Sequence, residues 1–194
     1  PELTFSKMKE LFQAAAQGEL VGTEKTDGQN LFITYDLSTG KAKAARNKGN
    51  IKAGGMDAAG LAAKFKGRGN LEAAFNAAFE TAAQRIPQEL QLKIFGQAGD
   101  IYYNAEVQDP RSANVINYDE PNLVIHQVGH AQFNKETGKV VDADVSKNAD
   151  YLFSALEDLQ QKREKGKFLV QRNALRKLKA LSDDTILKQS LSRL

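Results

Sequence analysis

No cysteine occurs in the 194 residues. That excludes disulfides, thiolate metal sites and a cysteine nucleophile, and it leaves the redox compartment open. Histidine is almost as scarce. His126 and His130 are the only two, too few for a histidine-rich metal centre. No apolar run approaches the roughly 20 residues needed to span a bilayer. The opening PELTFSKMKELF lacks the layout of a signal peptide. An initiator methionine is also missing, which raises the expectation of a processed product or a piece of a longer chain. No internal repeat or low-complexity tract is evident.

What is present has ordinary globular proportions, with 41% hydrophobic and 26% charged residues. The length suits one well-cored domain, or a domain with an appendage. The net charge of +3 is uneven: residues 146–194 carry eleven Lys/Arg against six Asp/Glu. A basic tail of this kind fits either a polyanion such as nucleic acid or a solvated helical surface.

Periodicity organises the chain. Phe5, Met8, Leu11, Phe12 and Ala15 recur at helical spacing, with Thr4 as N-cap and Gly18 as stop. A β-rich part follows: ELVGTEK as a short strand, NLFITYD as a longer one, LSTG as a turn and KAKAARN as the returning strand. KGNIKAGGMD reads as a glycine-bearing loop, and Leu61, Ala62 and Phe65 as a short helix ended by KGRGN. Leu71, Ala74, Phe75, Ala78, Phe79, Ala82 and Ile86 line one face of a helix that Pro87 ends. Strands are predicted at LQLKIFGQ, DIYYNAEV and NLVIHQVG, and a hairpin at FNKETGKVV. From Ser146 the pattern turns helical, through Leu152, Phe153, Leu156 and Leu159 to a Ser182-capped SDDTILKQSLSRL. The layout predicted is an α+β body over residues 1–145 and a basic helical segment over 146–194.

The stretch GTEKTDGQNLFITYD holds the sharpest chemical candidate. A lysine nucleophile must lose its proton, be held still and find its target phosphate neutralised. Lys25 leads out of a short strand. Asp27 can orient the turn, and Gly28 is free to adopt positive φ and admit a ligand close to the chain. Glu24 and Lys25 point to opposite faces if the strand persists. As spacing alone, lysine, any residue, Asp and Gly is a weak pattern, because Asp-Gly turns are common.

EKTDG resembles the first motif of the covalent nucleotidyltransferases, the superfamily of ATP- and NAD-dependent DNA ligases, RNA ligases and mRNA capping enzymes. The likeness spans about residues 3–130 and is closest to RNA-ligase-like and phage or viral relatives. In that family the lysine bonds to the α-phosphorus of the nucleotide and releases pyrophosphate. The family's next element, an arginine that contacts the nucleotide's sugar or phosphates, is matched by Arg46 in AARNKGNIKAGG. Its ribose-binding glutamate is matched by Glu106 in DIYYNAEVQDP. Its strand with a nucleotide-stacking ring is matched by NLVIHQVG, where His126 is the only ring. The resemblance implies an antiparallel-sheet, nucleotidyltransferase-like (ATP-grasp-like) α+β core with flanking helices and a helical C-terminal part. It implies Lys25 as nucleophile, with Glu24, Asp27, Gly28, Arg46, Glu106 and His126 around the nucleotide. ATP and Mg²⁺ would be the cofactors, DNA or RNA ends the partners, and the cytoplasm of a bacterial or phage-infected cell the setting.

Two family features depart from this chain. No Glu-Gly dipeptide exists for the fourth motif. The paired lysines of the fifth have one formal match, Lys177 and Lys179 in RKLKAL, in a segment that reads as helix, where residues two apart do not share a face. Either later motifs lie beyond Leu194, or the fold serves as a non-catalytic structural or binding module, for example as a homo-oligomer or in a phage particle, with the virion as its setting. A plain nucleic-acid-binding domain is a third reading, without a recognisable motif to support it.

Each residue also has an ordinary reading. Arg46 would pair with an acid on the hairpin, and His126 would be a satisfied core histidine. Glu106 on an aromatic strand would be costly if buried without a partner. GRGNL would be a helix stop and start rather than a phosphate loop. Lys41, Lys43, Lys48 and Lys52 are solvated strand charges or a basic rim for a nucleic-acid end.

Overall fold

A computed structural model describes residues 4–22, 28–65, 69–110, 121–145, 149–161, 169–172 and 176–177. The chain divides into two compact units, Pro1–Lys25 with Ala174–Leu194, and Thr26–Asn173.

In the first unit, helix α1 (Phe5–Ala16) starts at Thr4, whose hydroxyl accepts the Lys7 N–H at 3.3 Å. It ends as glycine-stopped helices do. Gly18 takes φ 72°, its N–H reaches the Ala15 carbonyl, and the Glu19 N–H reaches that of Ala14. Strand β1 (Val21–Gly22) then pairs antiparallel with β9 (Arg176–Lys177). The predicted helix over this last segment is thus a strand where the structure describes it.

The second unit is α+β. Its sheet runs β3-β2-β4-β5-β8, with β2 Gln29–Asp36, β3 Lys41–Ala45, β4 Ile101–Gln108, β5 Asn122–Ile125 and β8 Leu169–Arg172. A hairpin of β6 (Ala131–Asn134) and β7 (Lys139–Asp142) joins the start of β4. All pairings are antiparallel except β5 with β8. A parallel neighbour needs a long crossover, and here it includes the hairpin and helix α6 (Ala149–Gln161). Residues 169–172 were expected to be helical; they form a strand of the main sheet instead.

Strand alternation separates the two faces. Tyr103, Ala105 and Val107 of β4 face the helices with Leu31, Ile33 and Tyr35 of β2 and Leu123 and Ile125 of β5. Phe75, Phe79, Ala82 and Ala83 of α4 (Gly69–Gln84) fill that core with Leu152, Phe153 and Leu156 of α6. Phe95 sits at its centre, edge-on to Tyr35, Phe79 and Tyr103 at ring distances of 5.8, 5.7 and 6.0 Å.

Two segments differ from the sequence reading. LQLKIFGQ is helical: α5 (Gln88–Phe95) begins after Pro87 and stops at Gly96, φ 75°. Buried Gln91 donates to the Ala83 and Ile86 carbonyls at 2.8 and 2.9 Å, closing the end of α4, while Leu92 is 47% exposed. The apolar alternation that suggested a strand therefore does not track burial. In KGNIKAGGMD, Asn47 caps a short helix α2 (Lys48–Lys52), which buries Ile51 against Ala45, Tyr102 and Ala131.

Strand β3 lies at the sheet's edge, and its outward backbone groups are occupied. The Ala42 N–H donates to Glu80 at 2.9 Å and its carbonyl accepts from Asn76 at 3.2 Å, both from α4. Ala44 exchanges two 2.8 Å bonds with Met56, just before α3 (Ala58–Lys64). The Arg46 N–H donates to the Asn50 side chain at 3.2 Å.

Candidate functional site

Gly28 leads into β2 and lies against β4. A Cβ there would stand 2.4 Å from the Val107 carbonyl oxygen and 3.1 Å from Glu106 Cγ. Its φ is outside the left-handed range. The freedom to adopt positive φ is thus not used, and glycine is required because a side chain would strike the neighbouring strand. Glu24, Lys25 and Asp27 lie outside the described residues.

On the sheet face opposite α4 and α6, β4 presents Asn104 and Glu106. Register places Glu106 opposite Asn30 of β2 and Val124 of β5. His126 directly follows β5, and its backbone N–H donates to the Asn104 carbonyl at 2.9 Å. Its Nε2 lies 3.2 Å from Glu106 Oε2, with the two side chains 20% and 16% exposed. His126 is therefore not the core histidine that the ordinary reading expected. That description fits His130, which is buried, with its ring 5.4 Å from that of Tyr103.

Amides extend the polar face. Asn104 Nδ2 donates to the Val128 carbonyl at 3.2 Å, and Asn30 Nδ2 donates to Asn104 Oδ1 at 2.6 Å. The Val128 carbonyl can only accept, so it fixes the orientation of Asn104 and, through it, that of Asn30. Gly129, φ 80°, lies where a Cβ would be 2.8 Å from Asn104 Nδ2. Asn30 and Asn104 were not singled out from sequence. The period-two spacing of Asn104 and Glu106 in NAEV is the signal that places them on one face.

Arg46 takes another direction. One guanidinium nitrogen donates to Gln29 Oε1 at 2.6 Å, and the other is 3.7 Å from Glu72 Oε1 on α4. The group also lies 4.9 Å over the Phe65 ring. Gln29 is the register partner of Val107 in the core, whereas Asn30 is the partner of Glu106. Arg46 thus reaches the helical side of the sheet, while Glu106 and His126 meet on the other. Its acid partner is on α4, not on the hairpin. Glu72 is buried, and its Oε2 has no hydrogen-bond partner among the described residues.

Of the remaining candidates, Lys43 pairs with the buried carboxylate of Asp36, which also accepts from Ser38 at 2.9 Å. Lys177 lies in β9, opposite Val21 of β1, and Lys179 lies outside the described residues. The described residues contain no group of three or more His, Asp or Glu able to hold a metal. No helix among them is long and apolar enough to cross a membrane. Compared with family models, with curated proteins and with solved structures, the chain matches none.

Proposed function

We propose that this chain is a polynucleotide ligase-type adenylyltransferase whose nucleotide rests on the Glu106–His126 face. One observation carries the reading: the glycine of EKTDG packs against the strand of Glu106, whose carboxylate meets His126 from the following strand. The order of motifs in the sequence and the meeting of Gly28, Glu106 and His126 are independent facts that agree.

In this mechanism the uncharged Lys25 amine attacks the α-phosphorus of ATP. A nitrogen–phosphorus bond forms, the bond to the β-phosphate oxygen breaks, pyrophosphate leaves and the amine proton passes to solvent. Glu106 accepts from the ribose hydroxyls, and His126 orients that carboxylate. Mg²⁺ on the triphosphate would supply positive charge to offset that of the leaving group. The AMP then passes to a 5′-phosphate end, where a 3′-hydroxyl displaces it. Incubation with ATP should add the mass of one AMP, and Lys25→Ala should abolish the gain. An unchanged mass for the wild-type chain with ATP and Mg²⁺ refutes the reading.

The engagement of Arg46 by Gln29, Glu72 and Phe65 favours a second reading, a ligase-like scaffold used for binding or assembly. Stable multimers in light scattering without an ATP-dependent mass gain would support it.

A further inference from the structure

Strand β4 changes partner midway. Ile101 and Tyr102 pair with the β6 strand, and residues 105–108 pair with β5. At the junction the Asn104 N–H finds a side chain: it donates to His130 Nδ1 at 3.0 Å. A ring nitrogen that accepts carries no proton, so this contact fixes His130 as the neutral tautomer protonated on Nε2. The same asparagine anchors the loop between β5 and β6 through the Val128 carbonyl, and its own carbonyl holds the His126 N–H.

We infer that His130 is a positioning residue for the Glu106–His126 face, and that it holds this face only while its Nδ1 is unprotonated. Protonation turns the acceptor into a donor facing another donor. The Asn104 N–H is then left without a partner beside a buried cation, which is costly. The loop from His126 to His130 must shift to relieve this, and the contact between His126 and Glu106 goes with it.

The surroundings of His130 oppose protonation on balance. Burial lowers its pKa. A hydrogen bond with the Gln127 backbone works the other way, His126 lowers it and Asp144 raises it, and the net direction is down from 6.5. The Tyr103 ring against it adds no charge, since burial pushes its hydroxyl well above the ordinary range. The support is therefore intact at neutral pH and lost in acid.

The inference rests on the proposed function only for what the face binds, and its test uses no nucleotide. Nitrogen-15 NMR of the full chain should show His130 with Nδ1 unprotonated at pH 7 and a midpoint below 6.5. Relative to its intrinsic rate at each pH, the Asn104 amide should lose about tenfold in exchange protection through that midpoint, the size expected for one lost hydrogen bond. The Glu106 and His126 amides should shift with the same midpoint. His130→Asn offers a carbonyl that accepts without titrating, so that component should vanish. His130→Leu should show the fast Asn104 exchange already at pH 7. A protonated Nδ1 at neutral pH, an Asn104 amide indifferent to the His130 midpoint, or an unchanged acid response in His130→Asn overturns the inference. None of these outcomes touches the adenylylation test, and a failure there leaves the switch standing without a ligand.

Discussion

Gly28→Ala is the substitution that tests the junction of fold and site most directly. The added methyl would stand 2.4 Å from the Val107 carbonyl oxygen and 3.1 Å from Glu106 Cγ. The first obstacle is backbone in a central strand and cannot rotate away. To restore ordinary contact, β2 and β4 must separate by about 1 Å at this end. Overpacking of this kind costs about 1–3 kcal/mol. If the adjacent Gln29–Val107 pairing opens, one hydrogen bond adds about 1 kcal/mol, for a total near 2–4 kcal/mol. A chain of this size loses about 2–4 °C per kcal/mol, so the melting midpoint should fall by roughly 5–15 °C. Gly138→Ala is the control. That glycine has φ 66° in a hairpin turn with nothing within 4 Å of the added carbon, so it carries only the left-handed penalty of about 1–2 kcal/mol. Calorimetry on both variants should rank Gly28→Ala as the more damaging. A midpoint within 2 °C of wild type for Gly28→Ala, or the reverse ranking, would refute the steric account and return Gly28 to a role as ligand-facing space.

Other perturbations have equally definite outcomes. Arg46→Ala leaves the Glu72 carboxylate buried without its partner and should cost about 3–5 kcal/mol in urea unfolding; adding Glu72→Gln should recover much of that loss, and an additive double variant would refute the pairing. Burial pushes the Asp36 carboxyl up, but hydrogen bonds from Lys43 and Ser38 and the Lys43 charge outweigh it, so its pKa falls below 3.8. The resulting stability is present above the unfolded value and lost as pH drops through the lower folded one. Unfolding at pH 7 and pH 2 should show that loss shrinking in Lys43→Met. Phe95→Ala, which removes a ring in contact with three others, should cost about 3–5 kcal/mol by the same assay.

Long, strongly patterned segments were legible in the sequence because one burial rule governs each of them. Helix α4, strands β2 and β4 and the β6–β7 hairpin are of this kind. LQLKIFGQ failed because its alternation is not a map of burial. Gln91 goes inward to close the preceding helix end, and Leu92 goes out. Proline before an acidic first turn was the better guide there. RKLKAL failed because its polarity resembles a helix face, whereas its first two residues form a strand with β1, a partner far away in sequence. Among the candidates, Glu106 was singled out by its match to the family's ribose-binding glutamate, and an acid on an aromatic strand also calls for a partner. That partner, His126, is set by strand register, which single-sequence reading does not provide. Arg46 was placed by spacing alone, and spacing carries no information about which side of a sheet an arginine leaves.

The closure of β3 limits how this molecule can associate. Glu80, Asn76 and Met56 occupy the outward groups of Ala42 and Ala44, so an invading peptide would find neither donor nor acceptor there to copy. Growth of the sheet past that margin, whether into a fibril or a strand-swapped pair, first requires helix α4 and the segment carrying Met56 to peel off. Any ordered assembly of the intact fold must therefore be built from side-chain surfaces there, not by lengthening the sheet.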